Sequence, residues 1–355
     1  MNDRGELLAA LVLRGLPGVG PGRFRQVVET FGSASSALSA PPGLLPPIIG
    51  GRASAALADA HRRHRAQALL EECRRLDMGV TSFGQVDYPS RLHDLDDPPP
   101  VVFWRGRLDI LKGAPVAVVG SRRATAYGRR VARRLGGFLA SQGRPVVSGM
   151  AMGVDAEAHA GALPGPTVAV LGSGADVPSP RSNEGLYRRI LQDGLILSTF
   201  DPGTRAAAHH FPARNRVIAA LSEEIVVVEA TDRSGALITA GVGLDLGREI
   251  HAVPGPIDRP TSAGTNRLIA DGAVPLIHLD DPRASLRQRT HGGPEDTALR
   301  NLWARMPDGA VSFDELVDAL GKPADRVSAT LTRLELLGYV HVTPDGRFIR
   351  SSRDP

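Results

Sequence analysis

Apolar and polar positions divide the chain into successive patterns. Up to about residue 82, apolar residues recur at helical spacing. Residues 7–13 form a short apolar run, and Phe24, Val27, Val28 and Phe31 fall on one helix face. A longer helix is expected over residues 53–78, with a basic cluster at His61, Arg62, Arg63, His64 and Arg65 that reads as a solvated face. Residues 83–104, rich in Pro and Asp, read as an extended connection. From Val116 the period changes. Short β-branched runs ending at Val119, Val147, Leu171, Leu197, Val228, Val253 and Ile277 alternate with helical segments at 126–140, 154–163, 183–192, 214–221, 236–246 and 266–270. That alternation predicts an α/β fold, a doubly wound and mostly parallel sheet.

Residues 280–296 are polar and rich in Pro, Gly and Arg. Beyond them lie helical patterns at 297–306, 313–320 and 324–337. Two short β runs then flank a Thr343-Pro344-Asp345-Gly346 turn, the outline of a winged helix. The expected organisation is a helical domain over 1–82, an α/β domain over 83–281, a linker over 282–296 and a winged helix over 297–355. The third helix of the wing carries Arg326 and Arg333 but also Asp325 and Glu335, which leaves DNA and protein both open as its partner.

Composition narrows the class. A chain of 355 residues with 42% hydrophobic and 23% charged positions is that of a soluble, multidomain protein. The net charge of +4 permits a polyanionic partner without requiring one. Only Lys112 and Lys322 are lysines; the other basic residues are arginines, whose planar forks suit phosphate, although biased codon usage produces the same excess. Position therefore matters more than number. Cys73 stands alone, so no internal disulfide forms and a reducing cytoplasm is expected. Asp3, Glu6 and Arg14 argue against a signal peptide, and no apolar stretch approaches the ~20 residues of a membrane span.

Between Arg105 and Arg134 there are nine Lys or Arg and one acid, Asp109. Small and polar residues then recur where strands give way to helices: Gly120-Ser121-Arg122, Ser148-Gly149 with Gly153, Gly172-Ser173-Gly174, Arg214-Asn215-Arg216, and Ser234-Gly235 with Thr239. Glycine admits close backbone approach, and helix N-termini offer unpaired N–H groups to anions. A single such glycine means only a tight turn. The set along one sheet edge implies a groove for several phosphates, with Arg122, Arg214 and Arg216 as charge-assisted forks. A glycine turn after the first helix, Gly18-Val19-Gly20, resembles a helix-hairpin-helix, which serves DNA contact in some proteins and packing in others.

Catalytic signatures are missing from the sequence. Neither lysine sits in a Walker A loop, the first strand is not followed by G-x-G-x-x-G, and no G-x-S-x-G elbow occurs. No catalytic residue, cofactor or metal is expected. Asp155 and His159 share a helix face but lack a third ligand. The expectation is an Asp bonded to backbone and a His packed beneath the groove.

Taken together, GSR at Gly120, SGMAMGVD-x-x-x-H from Ser148, TVAVLGSGAD from Thr167, FPARNRVIA from Phe211, VVEA-x-x-x-SGALITA from Val227 and VPG at Val253 resemble the DprA/Smf family over about residues 88–279. The resemblance implies an extended Rossmann-like fold with a helical N-terminal domain and, in some members, a winged helix. It also implies a cytoplasmic, non-enzymatic homodimer that binds single-stranded DNA and loads RecA recombinase during natural transformation. DNA contacts would then come from the strand-edge residues above, together with Arg181 and Asn183, while Asp155, His159 and Glu229 support the groove. Two positions depart from the family pattern. Ser179 replaces a tyrosine, removing a stacking surface, and Thr199 replaces a glutamate. The rival class is a nucleotide phosphoribohydrolase on a related fold, whose P-G-G-x-G-T signature with a following Glu is not found. A scaffold acting through the winged helix is a third reading.

Overall fold

The computed structural model describes residues 4–41 and 43–278. It also describes positions 299, 302, 303 and 306 and, within 310–350, all but 321–322, 337–338 and 344–345. The chain divides into two compact units, residues 1–286 and 287–355. The linker expected over 282–296 and most of the helix expected over 297–306 lie outside the described residues.

Helices come first in the larger unit: α1 (Arg4–Arg14), α2 (Pro21–Phe31), α3 (Ala34–Ser39), α4 (Pro46–Ile49), α5 (Gly51–Ala56) and α6 (Ala60–Arg75). The turn from α1 to α2 needs Gly18 at φ 82°, a backbone conformation that other side chains rarely adopt. The helix expected over 53–78 is broken before Ala60, because Asp59 caps α6 by accepting from the His61 N–H at 3.0 Å.

Nine strands form one sheet, in the order β1 (Gly79–Ser82), β2 (Val101–Gly106), β6 (Leu195–Ser198), β5 (Thr167–Leu171), β4 (Val146–Ser148), β3 (Val116–Val119), β7 (Glu224–Val227), β8 (Glu249–Ala252) and β9 (Val274–Pro275). Strands β6 to β9 are parallel. The seven expected runs supply them. Two antiparallel strands, β1 and β2, extend the edge beyond β6. Val101 to Trp104 belongs to β2 rather than to the expected extended connection; the breaker Pro98-Pro99-Pro100 masks a strand that starts immediately after it. The boundary placed after residue 82 thus falls between two strands that pair Gly79 with Trp104.

Helices α7 (Ala126–Ser141) and α8 (Val154–Ala162) cover one face, over Val116, Val118, Val146 and Val226. After α9 (Glu184–Asp193), helices α10 (His210–Leu221) and α11 (Gly235–Asp245) contribute to the cluster that holds Ala117, Val119, Ile225 and Val227. The period-2 alternation of β3 and β7 is what divides these clusters. α12 (Pro260–Ala270) follows β8. Helices α7 and α8 approach closely. A Cβ on Gly136 would lie 2.2 Å from the Ala158 carbonyl oxygen, and one on Gly161 2.0 Å from that of Arg133. Gly136→Leu is expected to force the helices apart at a cost of about 1–3 kcal/mol. An unchanged urea midpoint would contradict that packing.

In the second unit, helices Phe313–Leu320 and Ala324–Leu336 and the antiparallel pair β10 (Val340–Val342) and β11 (Phe348–Arg350) bury Leu316, Val327, Leu331, Leu334 and Val340, the arrangement of a winged helix. Ser312 and Glu315 form a reciprocal capping box at its start. Among the described residues no helix is long and apolar enough to cross a membrane.

Candidate functional site

Strand order reverses between β3 and β7, since β3–α7–β4 winds one way and β7–α11–β8 the other. Open α/β sheets bind ligands at such a point, outside the carboxyl ends of the strands. A cavity of about 530 Å³ lies there. Gly120 to Arg123 after β3, Thr231 and Ser234 to Ala236 around the start of α11, Arg214 and Asn215 on α10, and Thr261 on α12 line it.

The loop after β3 is pinned on three sides. The Ser121 N–H donates to the Glu229 carbonyl at 2.7 Å, the Ser121 carbonyl accepts from the Val154 N–H at 3.2 Å, and its hydroxyl accepts from the Arg123 N–H at 3.1 Å. Gly120 has no room for a side chain, because a Cβ would fall 2.7 Å from Val154 Cγ2. The Glu229 carboxylate accepts from the Thr125 N–H at 2.9 Å and from the Thr125 hydroxyl, which in turn caps α7 by accepting from the Gly128 N–H. Arg122 is thereby held exposed, with its guanidinium 4.6 Å from the Phe211 ring centroid.

The floor of the cavity is a buried polar cluster. Arg214 is 4% exposed and its guanidinium lies 5.7 Å from the same Phe211 ring. It fits only because residue 149 is glycine: a Cβ there would sit 1.1 Å from Arg214 Nη1. Asp155 Oδ2 lies 3.9 Å from that nitrogen and accepts from the Gly149 N–H at 3.1 Å and the Ala151 N–H at 3.4 Å. Burial raises the Asp155 carboxyl above the ordinary carboxylate range, with Arg214 pulling the other way. Burial likewise lowers Arg214. His159 sits below them, its Nδ1 2.7 Å from Thr167 Oγ1. That hydroxyl donates to the Val146 carbonyl, so Nδ1 carries the ring proton. Burial, reinforced by the Arg214 charge, drives the His159 pKa down to about 3.

Of the expected DNA-binding residues, Gly120, Ser121, Arg122, Arg214, Asn215, Ser234, Gly235 and Thr239 come together on this cavity. The others sit differently. Ser148 is fully buried and its hydroxyl donates to the Val118 carbonyl at 2.6 Å, tying β4 to β3. Gly149, Gly153, Gly172 and Gly174 are buried and make space for protein. They accommodate Arg214, the Ser121 carbonyl, the Phe211 ring and the Asp176 carboxylate respectively. Arg216 is paired with Asp97. Asn183 donates from Nδ2 to the Met150 carbonyl at 2.8 Å, which ties the turn at Arg181–Asn183 to the loop before α8. Arg181 stays exposed beside it. Asp155, His159 and Glu229 are buried supports. Sequence reasoning missed Arg123, Thr231, Thr261 and the role of Phe211. The last was legible, because Phe211 precedes Arg214 by three residues and three residues bring two side chains onto one helix face.

Of the three arginines lining the cavity, Arg122 and Arg123 are exposed and form no ion pair, while Arg214 is buried against Asp155. Arg14, Arg91, Arg133, Arg144, Arg216 and Arg248 are each paired with a carboxylate. Among the described residues, Arg122, Arg123, Arg181 and Arg205 have no acid within ion-pair reach. Asp155, the one carboxylate lining the cavity, is buried beneath Arg214. Cys73 is remote from it in the sequence pattern and chemically quiet, since burial pushes its thiol up to about 12.

The fold is a doubly wound, Rossmann-like sheet with a cationic cleft at its switch point. Comparison with known proteins narrows the class. The profile of the DNA recombination-mediator protein A family matches residues 79–287, and that of the DprA winged helix domain matches residues 288–346. The chain belongs to the DNA recombination-mediator protein A family. It is 31% identical to Protein Smf of Synechocystis over 94% of this chain and 96% of that one. It is 36% identical to Protein Smf of Escherichia coli over 75% of each. The X-ray structure of DNA processing protein A from Streptococcus pneumoniae superposes with a TM-score of 0.66 at 34% identity, covering 78% of this chain and 95% of that chain. A structure of DNA processing protein A from Helicobacter pylori, described for its single-stranded DNA binding mode, superposes with a TM-score of 0.53 at 30% identity over 56% of this chain and 92% of that one.

Proposed function

We propose that the protein binds single-stranded DNA along the carboxyl edge of the sheet, without strong sequence preference and without catalysis, and that it acts in DNA processing during natural transformation. The observation that carries this reading is the pair of exposed, unpaired arginines, Arg122 and Arg123, on a cavity whose lining carboxylate is buried. A phosphodiester finds donors there and meets no exposed acid. The binding described for the Helicobacter pylori relative supports it. Aromatic residues make up 4% of the chain, so phosphate contact rather than base stacking carries most of the affinity. Loading of a RecA-type recombinase, a homodimeric state and a cytoplasmic setting belong to the same proposal and rest on the family resemblance.

A phosphoribohydrolase would need a carboxylate poised over a bound nucleotide. Asp155 is tied to two backbone amides and covered by Arg214, which disfavours that role.

The test is the affinity for an oligonucleotide across a salt series. With Arg122, Arg123, Arg181 and Arg214 as phosphate contacts, log K should fall against log salt with a slope of about −3, or about 50-fold between about 50 and 200 mM. Arg122→Ala should make the slope shallower by about 0.7 and weaken binding by about 10-fold. A flat salt response, or wild-type binding by Arg122→Ala, would overturn the groove.

A further inference from the structure

A second cavity, of about 600 Å³, opens where α1 and α6 meet the loop after β6. Its basic lining comes from Arg14, His61, Arg62 and Arg65, and its floor from apolar residues including Phe200. Two acids reach it and both are engaged. Asp201 is paired with Arg14, and Asp59 accepts from the His61 N–H and lies 3.7 Å from Arg62 Nε. Among the described residues the side chains of Arg65 and His61 are exposed and have no acid partner. Arg62 is fixed by donation to the Gly15 carbonyl at 2.6 Å.

The start of α10 carries rings that face both cavities' linings. Arg122 lies over Phe211; the neighbouring His210 stacks on Phe200 with centroids 4.1 Å apart and planes 26° apart, and Phe200 lines the second cavity. His210 is anchored through Nδ1, 2.9 Å from the Gly172 carbonyl oxygen. Thr199, also in the lining, is uncharged, so the carboxylates that reach the cavity are Asp59 and Asp201, each engaged as above.

We infer that the second cavity is an additional phosphate subsite for the same DNA strand, reached past Phe211 and the stacked His210–Phe200 pair. The basic cluster that reads from sequence as a solvated helix face becomes, through His61 and Arg65, one wall of this subsite. The inference rests on the groove reading above and extends it to the N-terminal helices.

Full-length protein should be titrated, by fluorescence anisotropy, with oligothymidylates of about 6 and about 20 nucleotides, lengths that bracket a single binding groove. Arg65→Ala should weaken the longer oligonucleotide by about 5-fold and reduce its salt slope by about 0.7, and Thr199→Glu should weaken it by about 10-fold. Both variants should bind the shorter one as the wild type does, which also establishes that they are folded. Wild-type affinity of both variants for the longer strand, or equal losses at both lengths, overturns the subsite and leaves the groove standing. A wild-type protein that binds neither length overturns the groove and the subsite together.

Discussion

Replacing Arg214 by alanine should cost about 3–5 kcal/mol of folding stability and abolish measurable DNA binding under physiological salt. Two effects coincide in this one side chain. Its guanidinium is the counter-charge for Asp155, buried 3.9 Å away, and removal strands a carboxylate that only the Gly149 and Ala151 amides then stabilise. It also fills the space behind Gly149 and packs on Phe211, so alanine leaves a void beneath the cavity floor. The double variant Arg214→Leu with Asp155→Asn separates the two roles. With both charges gone and volume restored, much of the stability should return, because a buried ion pair adds little over an apolar replacement of similar size. DNA binding should stay lost, because the floor no longer carries a cation. Denaturant unfolding and anisotropy on the same three proteins decide the matter. Wild-type stability of Arg214→Ala would mean that Asp155 does not depend on it, and recovered binding in the double variant would remove Arg214 from the interface.

The distinction between Arg214 and Arg216 shows where sequence reasoning stops. Both belong to one Arg-Asn-Arg cluster and both look like phosphate forks. Two residues apart on a helix, their side chains diverge by about 200°. One is buried under the groove and the other pairs with Asp97, more than a hundred positions earlier. The pattern of strands and helices was legible because alternation and turn residues are local. So were the strand-end glycines, as positions. Their roles were not. A glycine records that no side chain fits, and only the fold reveals that the occupant behind Gly149 is Arg214 from another helix, or behind Gly172 the Phe211 ring. Ser148 misled for a related reason: a hydroxyl at a strand end can face a ligand or bond the neighbouring strand, and here the Val118 carbonyl takes it. The support role of Asp155 was legible because a carboxylate at a helix start has backbone amides within reach, whereas the partner of Glu229, Thr125, comes from a distant part of the chain.

Acid should destabilise the protein through His159 before its surface carboxylates are fully protonated. An unfolded histidine titrates near 6.5, whereas in the fold burial and the Arg214 charge hold the His159 pKa at about 3. Between these values the unfolded chain carries the proton and the folded chain does not, so stability falls as pH falls, by about 1.4 kcal/mol per unit and about 4–5 kcal/mol across the window. Asp155 acts with the opposite sign. Its folded carboxyl titrates above the ordinary value, so the folded state takes up that proton first and gains stability as pH drops through this interval. The imidazole contribution is isolated by comparing wild type with His159→Gln in urea titrations from about pH 7 to pH 4. The wild-type curve should lose about 3 kcal/mol more than the variant over that range. Proton NMR provides a check that survives a poorly folding variant, since the His159 ring resonances should keep their neutral-form shifts well below pH 6.5. Parallel stability curves for the two proteins, or protonation of His159 near 6.5, would show that the imidazole is not sealed beneath the groove. Because His159 bonds Thr167 at the start of β5 while Arg214 lies above it, its protonation would add a second positive charge under the cavity floor. Because the folded chain keeps His159 neutral throughout this window, that charge is not added, and the His159 contribution to DNA affinity should stay flat while stability falls.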